Sequence, residues 1–356
     1  MFFASDNTSG VPDEVLHWMG RANAGYARGY GADTIMADVT ARLREVFEAP
    51  QAEVHLVATG TAANALALAS YCPPWATVFC HRVAHIEEDE CGAPEFYTNG
   101  AKLVLIEGDH AKMRPEALAQ AVARTGALGV HNVQRGMVSI TNTTELGGVH
   151  SPAEVAALTE IARAADLPCH MDGARFANAL VAAGCTPAEM TWKAGIDVLS
   201  FGGTKNGLMG VEAVILFDPA RSWEFQLRRK RGGHLFSKHR YLSAQIAAYL
   251  EGDLWMRLAG DANRSAARLA AGLAQVPGAR LLHPVDANMI FAKLPMPAHR
   301  RARAAGAEYY LIPAGQAEDG PDDARVTARL VASWSTTDAE VDGLLTALRG
   351  QESEAT

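Results

Sequence analysis

The feature that most limits what this chain can fold into is a repeated switch between short β-branched runs and longer helical ones. VHLVATG (54–60) is apolar, brief and closed by glycine, and ANALALASY (63–71) after it has helical character. TVFCHRVAH (77–85) and KLVLIEG (102–108) are again strand-like, whereas RPEALAQAVAR (114–124) starts on a proline and repeats its apolar residues at helical spacing. MVSIT (137–141) is a strand. SPAEVAALTEIARAA (151–165) has a serine N-cap, a proline at the first helical position and a glutamate three residues after the cap. LPCHMDGA (167–174), IDVLSFGG (196–203) and VEAVILF (211–217) complete the series. Such alternation predicts a mostly parallel sheet covered on both faces. In such sheets ligands bind at the carboxyl ends of the strands.

The pattern changes near residue 240. A long helical stretch precedes strand-like NMIFAKL (288–294), YYLIP (309–313) and ARLVASWS (328–335), and a last helix is predicted after Thr337 or Asp338. This predicts a smaller α+β unit, with the division at 1–245 and 246–356 and a frayed tail, QESEAT.

Composition removes several classes. The formal charge is -8 and the densest basic cluster is only Arg228–Arg231, so no nucleic-acid partner is expected; the cluster reads as a solvated face or a phosphate or carboxylate contact. No apolar run of membrane-spanning length occurs, and MFFASDNTSG does not read as a secretory signal. Five cysteines without a CxxC predict neither a disulfide framework nor a zinc site, and so a reduced, cytoplasmic protein with no metal.

The candidate chemistry gathers at the predicted strand ends. Lys205, one of seven lysines, sits in the glycine-rich turn SFGGTKNG just past an apolar strand. Burial there would favour an uncharged, nucleophilic amine suited to Schiff-base chemistry, although an exposed turn lysine fits position alone. Asp172, in HMDGARFAN, suits the protonated ring nitrogen of a cofactor, or else a helix N-cap. TGTAANALAL (59–68) places Gly60 and Thr61 at a helix start, an anion cradle or an ordinary βα connection. It is neither a P-loop nor a GxGxxG turn. His85 could stack on a planar ring, and Arg329 could grip a carboxylate; alone, such a histidine is more often structural or exposed and such an arginine more often in a surface salt bridge.

Together these segments carry a resemblance. From SDNTSG (5–10) through TGTAAN, AHIEEDECGAP, HMDGARFAN and SFGGTKNG to ARLVASWS, the chain resembles the L-threonine aldolases of fold type I pyridoxal-phosphate enzymes, most of all their bacterial low-specificity branch, which includes phenylserine aldolases. The resemblance implies a seven-stranded, mostly parallel large domain with a smaller C-terminal domain, and cleavage of L-threonine, L-allo-threonine or phenylserine to glycine and an aldehyde. It implies Lys205 as the cofactor-holding lysine, Asp172 at the ring nitrogen, Arg175 near the ring 3-hydroxyl, Gly60 and Thr61 at the phosphate, and His85 stacked on the ring beside the substrate hydroxyl. Ser5 and Arg329 would hold the substrate carboxylate. Relatives form dimers of dimers in which a basic residue, matching the Arg228–Arg231 cluster, approaches a neighbouring site. The chain departs from many relatives in TNTTELGG (141–148): Thr144 stands where they carry a histidine, and His131 is no clean replacement. The expected base is therefore His85 or a water it holds. Another fold type I β-eliminating lyase or aminotransferase is the rival reading, and a non-catalytic ligand-binding protein a more distant one.

Overall fold

The computed structural model describes residues 1–313, 315 and 319–350; the tail QESEAT lies outside them. Seven strands form the large sheet: β1 (Glu53–Val57), β2 (Ala76–His81), β3 (Lys102–Ile106), β4 (Gln134–Thr141), β5 (Cys169–Gly173), β6 (Val198–Gly202) and β7 (Glu212–Leu216). Their order is β1-β7-β6-β5-β4-β2-β3. The pairs from β6 through β3 are parallel, and β7 runs antiparallel to both β6 and β1. Every residue of β2, β5, β6 and β7 is buried. That is why these strands read as nearly unbroken apolar runs rather than alternating ones.

The helices are set by their ends. Ser151 caps Pro152–Arg163 with a reciprocal bond to Glu154, as its sequence requires, and Thr337 caps Asp338–Arg349 in the same way. Helix Gly60–Tyr71 is buried at every position from Ala62 to Ser70. Its small alanines let it lie between the sheet and the helices outside it, where a helix apolar on all sides belongs.

A second sheet, order β10-β11-β9-β8, is antiparallel throughout: β8 (Arg280–Leu281), β9 (Met289–Pro295), β10 (Tyr310–Ile312) and β11 (Arg325–Val331). Two features join it to the large sheet. The chain's first residues dock on it: Phe2 bridges Glu308, and Phe3 is fully buried in its core with Leu294 and Leu330. Helix Leu254–Leu273 starts against the large core through Trp255 and Leu258 and ends against the small one through Leu269 and Leu273. The two cores thus meet within this helix, between Ala259 and Ala266.

Candidate active site

The carboxyl ends of β1, β2, β5 and β6 open on a cavity of 230 Å³ lined in part by Asn7, Gly60, Thr61, Asn64, His85, Glu90, Asp172, Thr204, Lys205 and Glu212. Lys205 arrives there because β6 ends in two glycines. A Cβ at Gly202 would lie 2.2 Å from the Ala174 carbonyl oxygen, and one at Gly203 would lie 2.6 Å from that of Val211. Only glycine permits this close turn, which continues into the 3-10 segment Thr204–Asn206 bearing the lysine.

Asp172 is 2 % exposed and lies within β5. It caps no helix: the following helix, Phe176–Ala183, has Arg175 at its N-cap position with no side-chain cap. Its Oδ1 accepts from the Ala174 amide at 3.0 Å and its Oδ2 from Asn64 Nδ2 at 3.0 Å. The Gly60 turn is open, since a Cβ there would meet nothing within 4 Å. The Thr59 hydroxyl caps the Ala62 amide at 3.1 Å. The amides of Gly60 and Thr61, in the helix's first turn, have no intrahelical acceptor and border the cavity.

His85 stands between this cavity and a second one of 940 Å³, lined by Glu145, Leu146, Phe291, Tyr310, Ile312 and Arg329 among others. Its Nδ1 lies 2.9 Å from Glu90 Oε1. That hydrogen bond raises its basicity above the ordinary histidine value, burial opposing. Arg329 belongs to the second cavity and donates to the Ala4 carbonyl at 3.2 Å. Ser5, the next residue, accepts from the Asn7 amide at 3.1 Å. Asn7, not Ser5, lines the inner cavity.

Arg175 is placed otherwise than in the cavity wall. Its guanidinium is committed to Asp6, at 2.6 and 2.9 Å, with both side chains buried. Thr144 is a loop-building residue: its hydroxyl donates to the His110 carbonyl and accepts from the Gly148 amide, each at 3.0 Å. His131 is exposed in a 3-10 turn outside both cavities. Within the basic cluster, Arg228 pairs with Glu224, Arg229 is buried and donates to the Leu56 carbonyl, and Lys230 lies over the Tyr30 ring. Arg231 borders a separate surface cleft with Phe96 and Leu227.

Among the site residues that escaped the sequence reading are Asn64, Glu90 and Glu212. Glu212 accepts from the Gly203 amide at 2.6 Å, and burial pushes its carboxyl up to about 7. Asn64 and Glu212 each had a faint signal, a lone polar residue in an otherwise apolar run, whereas Glu90, one acid among four in a row, had none.

The residues fit pyridoxal phosphate on features of this chain alone. The primary amine of Lys205, the buried carboxylate of Asp172 and the open amide turn at Gly60 face one space. Asn64 Oδ1 and Glu90 Oε2 are buried there without a protein partner. Among the described residues no group of three or more His, Cys, Asp or Glu is arranged to hold a metal ion, and no helix is long and apolar enough to cross a membrane.

Comparison with known proteins identifies the family. A family model for the β-eliminating lyases matches residues 3–296. A low specificity L-threonine aldolase of Pseudomonas sp. is 41% identical over 348 residues, 98% of this chain and 96% of that protein. A protein of the same description from Pseudomonas aeruginosa is 42% identical over 334 residues, 94% of this chain and 93% of its own. The solved threonine aldolase of Leishmania major superposes with a TM-score of 0.90 at 28% identity, covering 98% of both chains. Sphingomonas wittichii serine palmitoyltransferase, at 13% identity and a TM-score of 0.67 over 98% of this chain and 86% of its own, shares the fold alone.

Proposed function

The chain belongs to the β-eliminating lyase family and, within it, to the L-threonine aldolases, and from that premise we propose that it cleaves L-β-hydroxy-α-amino acids reversibly to glycine and an aldehyde. The observation that carries the reading is the convergence of Lys205, Asp172, His85 and the Gly60 turn on one cavity that adjoins a second, larger one. Lys205 would hold pyridoxal phosphate covalently, Asp172 would face its ring nitrogen, and the Gly60 and Thr61 amides would take its phosphate. Bound in this way, the cofactor supplies an electron sink for the pair left at Cα when the Cα–Cβ bond breaks.

The chain's own groups do the rest. The substrate amine belongs at the Lys205 end and the carboxylate at Arg329, whose planar guanidinium suits a two-oxygen anion. The Ser5–Asn7 segment runs beside both. Fixing amine and carboxylate leaves Cβ and its hydroxyl on the His85 side, and orientation of this kind supplies much of an enzyme's rate. His85 takes the β-hydroxyl proton on Nε2. It is the basic side chain shared by the two cavities, and neither Thr144 nor His131 reaches it. Arg175 acts on the site through Asp6, whose neighbour Asn7 lines the inner cavity.

The larger cavity suits side chains beyond the methyl of threonine, so L-allo-threonine and phenylserine are included among the substrates. The surface cleft at Phe96, Leu227 and Arg231 suits a neighbouring subunit of a homotetramer. The five unpaired cysteines suit the reducing cytoplasm. The test is a panel of threonine, allo-threonine and phenylserine scored for glycine and aldehyde. Keto acid without glycine would replace this reading with β-elimination or transamination, which the same electron sink also supports.

A further inference from the structure

His85, Glu90, Asn64 and Asp172 form a continuous hydrogen-bonded chain along one wall of the inner cavity. Asn64 Nδ2 donates to Glu90 Oε1 at 2.9 Å and to Asp172 Oδ2 at 3.0 Å. One amide nitrogen carries two hydrogens, so both bonds are made at once. The same Glu90 oxygen meets His85 Nδ1. Helix Gly60–Tyr71, the short helix His85–Glu88 with the turn after it, and β5 contribute these residues.

Glu90 is the anomaly in this chain. It ends the acidic run Glu87-Glu88-Asp89-Glu90, whose first three members are exposed, yet Glu90 itself is 4 % exposed. Burying a carboxylate is costly, and its Oε2 finds no protein partner to offset the cost. Folding alone gives no reason to turn this acid inward. The hydrogen bond to His85 does. An ionised carboxylate only accepts, so the shared proton sits on Nδ1 and leaves Nε2 as the basic nitrogen.

We propose that Glu90 is the positioning residue of the reaction: it holds His85 with its proton on Nδ1 and Nε2 free toward the substrate hydroxyl, while Asn64 ties the pair to Asp172. The proposal rests on the reading of His85 as the base. In the step it assists, Nε2 takes the β-hydroxyl proton. The O–H pair becomes the new π bond of the aldehyde carbonyl, and the Cα–Cβ pair stays with Cα. His85 is then an imidazolium beside the Glu90 carboxylate, which stabilises that charge as it forms.

The groups facing the ring act mostly in one direction. Glu90's hydrogen bond is the largest influence and raises His85; burial lowers it, Asp172 and Glu145 raise it, and Lys205 lowers it. Asp89 Oδ2 also lies 3.7 Å from Nε2. On Glu90 itself burial pushes the carboxyl up, His85 and Asn64 pull it down, and Asp172 adds to the rise.

The test compares Glu90→Gln, isosteric and uncharged, with Glu90→Asp. In cofactor-free protein, the pH dependence of His85 acylation by diethyl pyrocarbonate is followed by peptide mass spectrometry. Loss of the carboxylate should lower the midpoint by about one pH unit, with Asp restoring part of the shift. In the holoenzyme, kcat for threonine should fall by roughly 10²-fold with KM held within about threefold. The acid limb of kcat should move down with the acylation midpoint. If the Gln variant does not fold, the Asp variant gives the same readings at smaller amplitude. An unmoved midpoint and acid limb overturn the proposal. Failure of the underlying reading shows separately, as near-normal turnover in His85→Asn.

Discussion

Asp6 and Arg175 form a two-point ion pair, Nε–Oδ2 2.6 Å and Nη2–Oδ1 2.9 Å, with both side chains almost wholly removed from water. The pair fastens the N-terminal segment to the turn after β5, and Asn288 Nδ2 adds a bond from the small sheet to Asp6 Oδ2 at 3.0 Å. Burial would raise the Asp6 carboxyl, but the charge and hydrogen bond of Arg175, the charge of Lys205 and the Asn288 bond together hold it below its ordinary range. Removing one partner of a buried pair leaves the other uncompensated. Asp6→Asn should therefore cost about 3–5 kcal/mol at pH 7, measured by urea unfolding. A depressed carboxyl contributes stability above its unfolded value and loses it as pH falls through the folded one. The gap between wild type and variant should accordingly persist down to roughly pH 4 and narrow only below it. A gap that closes between pH 7 and 5 would contradict this account.

Glu212 works in the opposite sense. Its carboxyl is raised by burial to about 7 from an ordinary 4.5. The folded state then binds the proton more tightly, so stability falls as pH rises from 4.5 to 7 and stays lower above that. Glu212→Gln keeps an acceptor for the Gly203 amide and carries no charge. In cofactor-free protein it should match wild type near pH 4.5 and exceed it above pH 7, by up to about 3 kcal/mol. Parallel stability curves across that range would mean that the carboxylate is compensated as well when charged as when neutral.

Lys205 is tested by chemistry rather than by rate. Borohydride reduction of the wild-type holoenzyme, then denaturation and mass measurement, should find the cofactor fixed at Lys205. In Lys205→Ala no cofactor should survive denaturation, although the proposed phosphate contacts at the Gly60 turn and the proposed ring contact of Asp172 should still let it bind reversibly. A covalent adduct in the variant would place the anchoring amine elsewhere.

Much of this arrangement was legible because buried parallel strands announce themselves. IDVLSFGG is a short apolar run, and its two closing glycines mark the turn that only glycine can make. Lys205, Asp172, His85 and the Gly60 turn stood out because each sits at or just past the end of such a run. The rest depends on partners distant in the chain. Nothing local tells Glu90 from Glu87, Glu88 and Asp89; turned inward, it meets His85 and also Asn64, 26 residues earlier. Nothing around Phe2 and Phe3 points to a second sheet three hundred residues away. Arg175 lies in a motif that suggests the cofactor, yet its guanidinium meets Asp6, 169 residues before it.

Substrate size should be set from the second cavity. Threonine needs room for a methyl group, whereas phenylserine needs room for a ring, and an apolar cavity of about 150 Å³ already accepts benzene. The 940 Å³ cavity beside His85 has Leu146, Phe291, Tyr310 and Ile312 on its walls. Tyr310 stands opposite Arg329 in the β10–β11 register, so the wall that carries Ile312 is fixed relative to the guanidinium proposed to bind the carboxylate. Ile312 is at the end of β10 and 42% exposed, so a larger side chain there projects into open space instead of disturbing the core. Ile312→Trp should reduce kcat/KM for phenylserine by at least about tenfold, equivalent to roughly 1.4 kcal/mol, and leave that for threonine within about twofold. The discriminating quantity is the ratio of the two values in one preparation. An equal loss for both substrates would point to a disturbed carboxylate site at Arg329, and no loss for either would place the substrate side chain away from this wall.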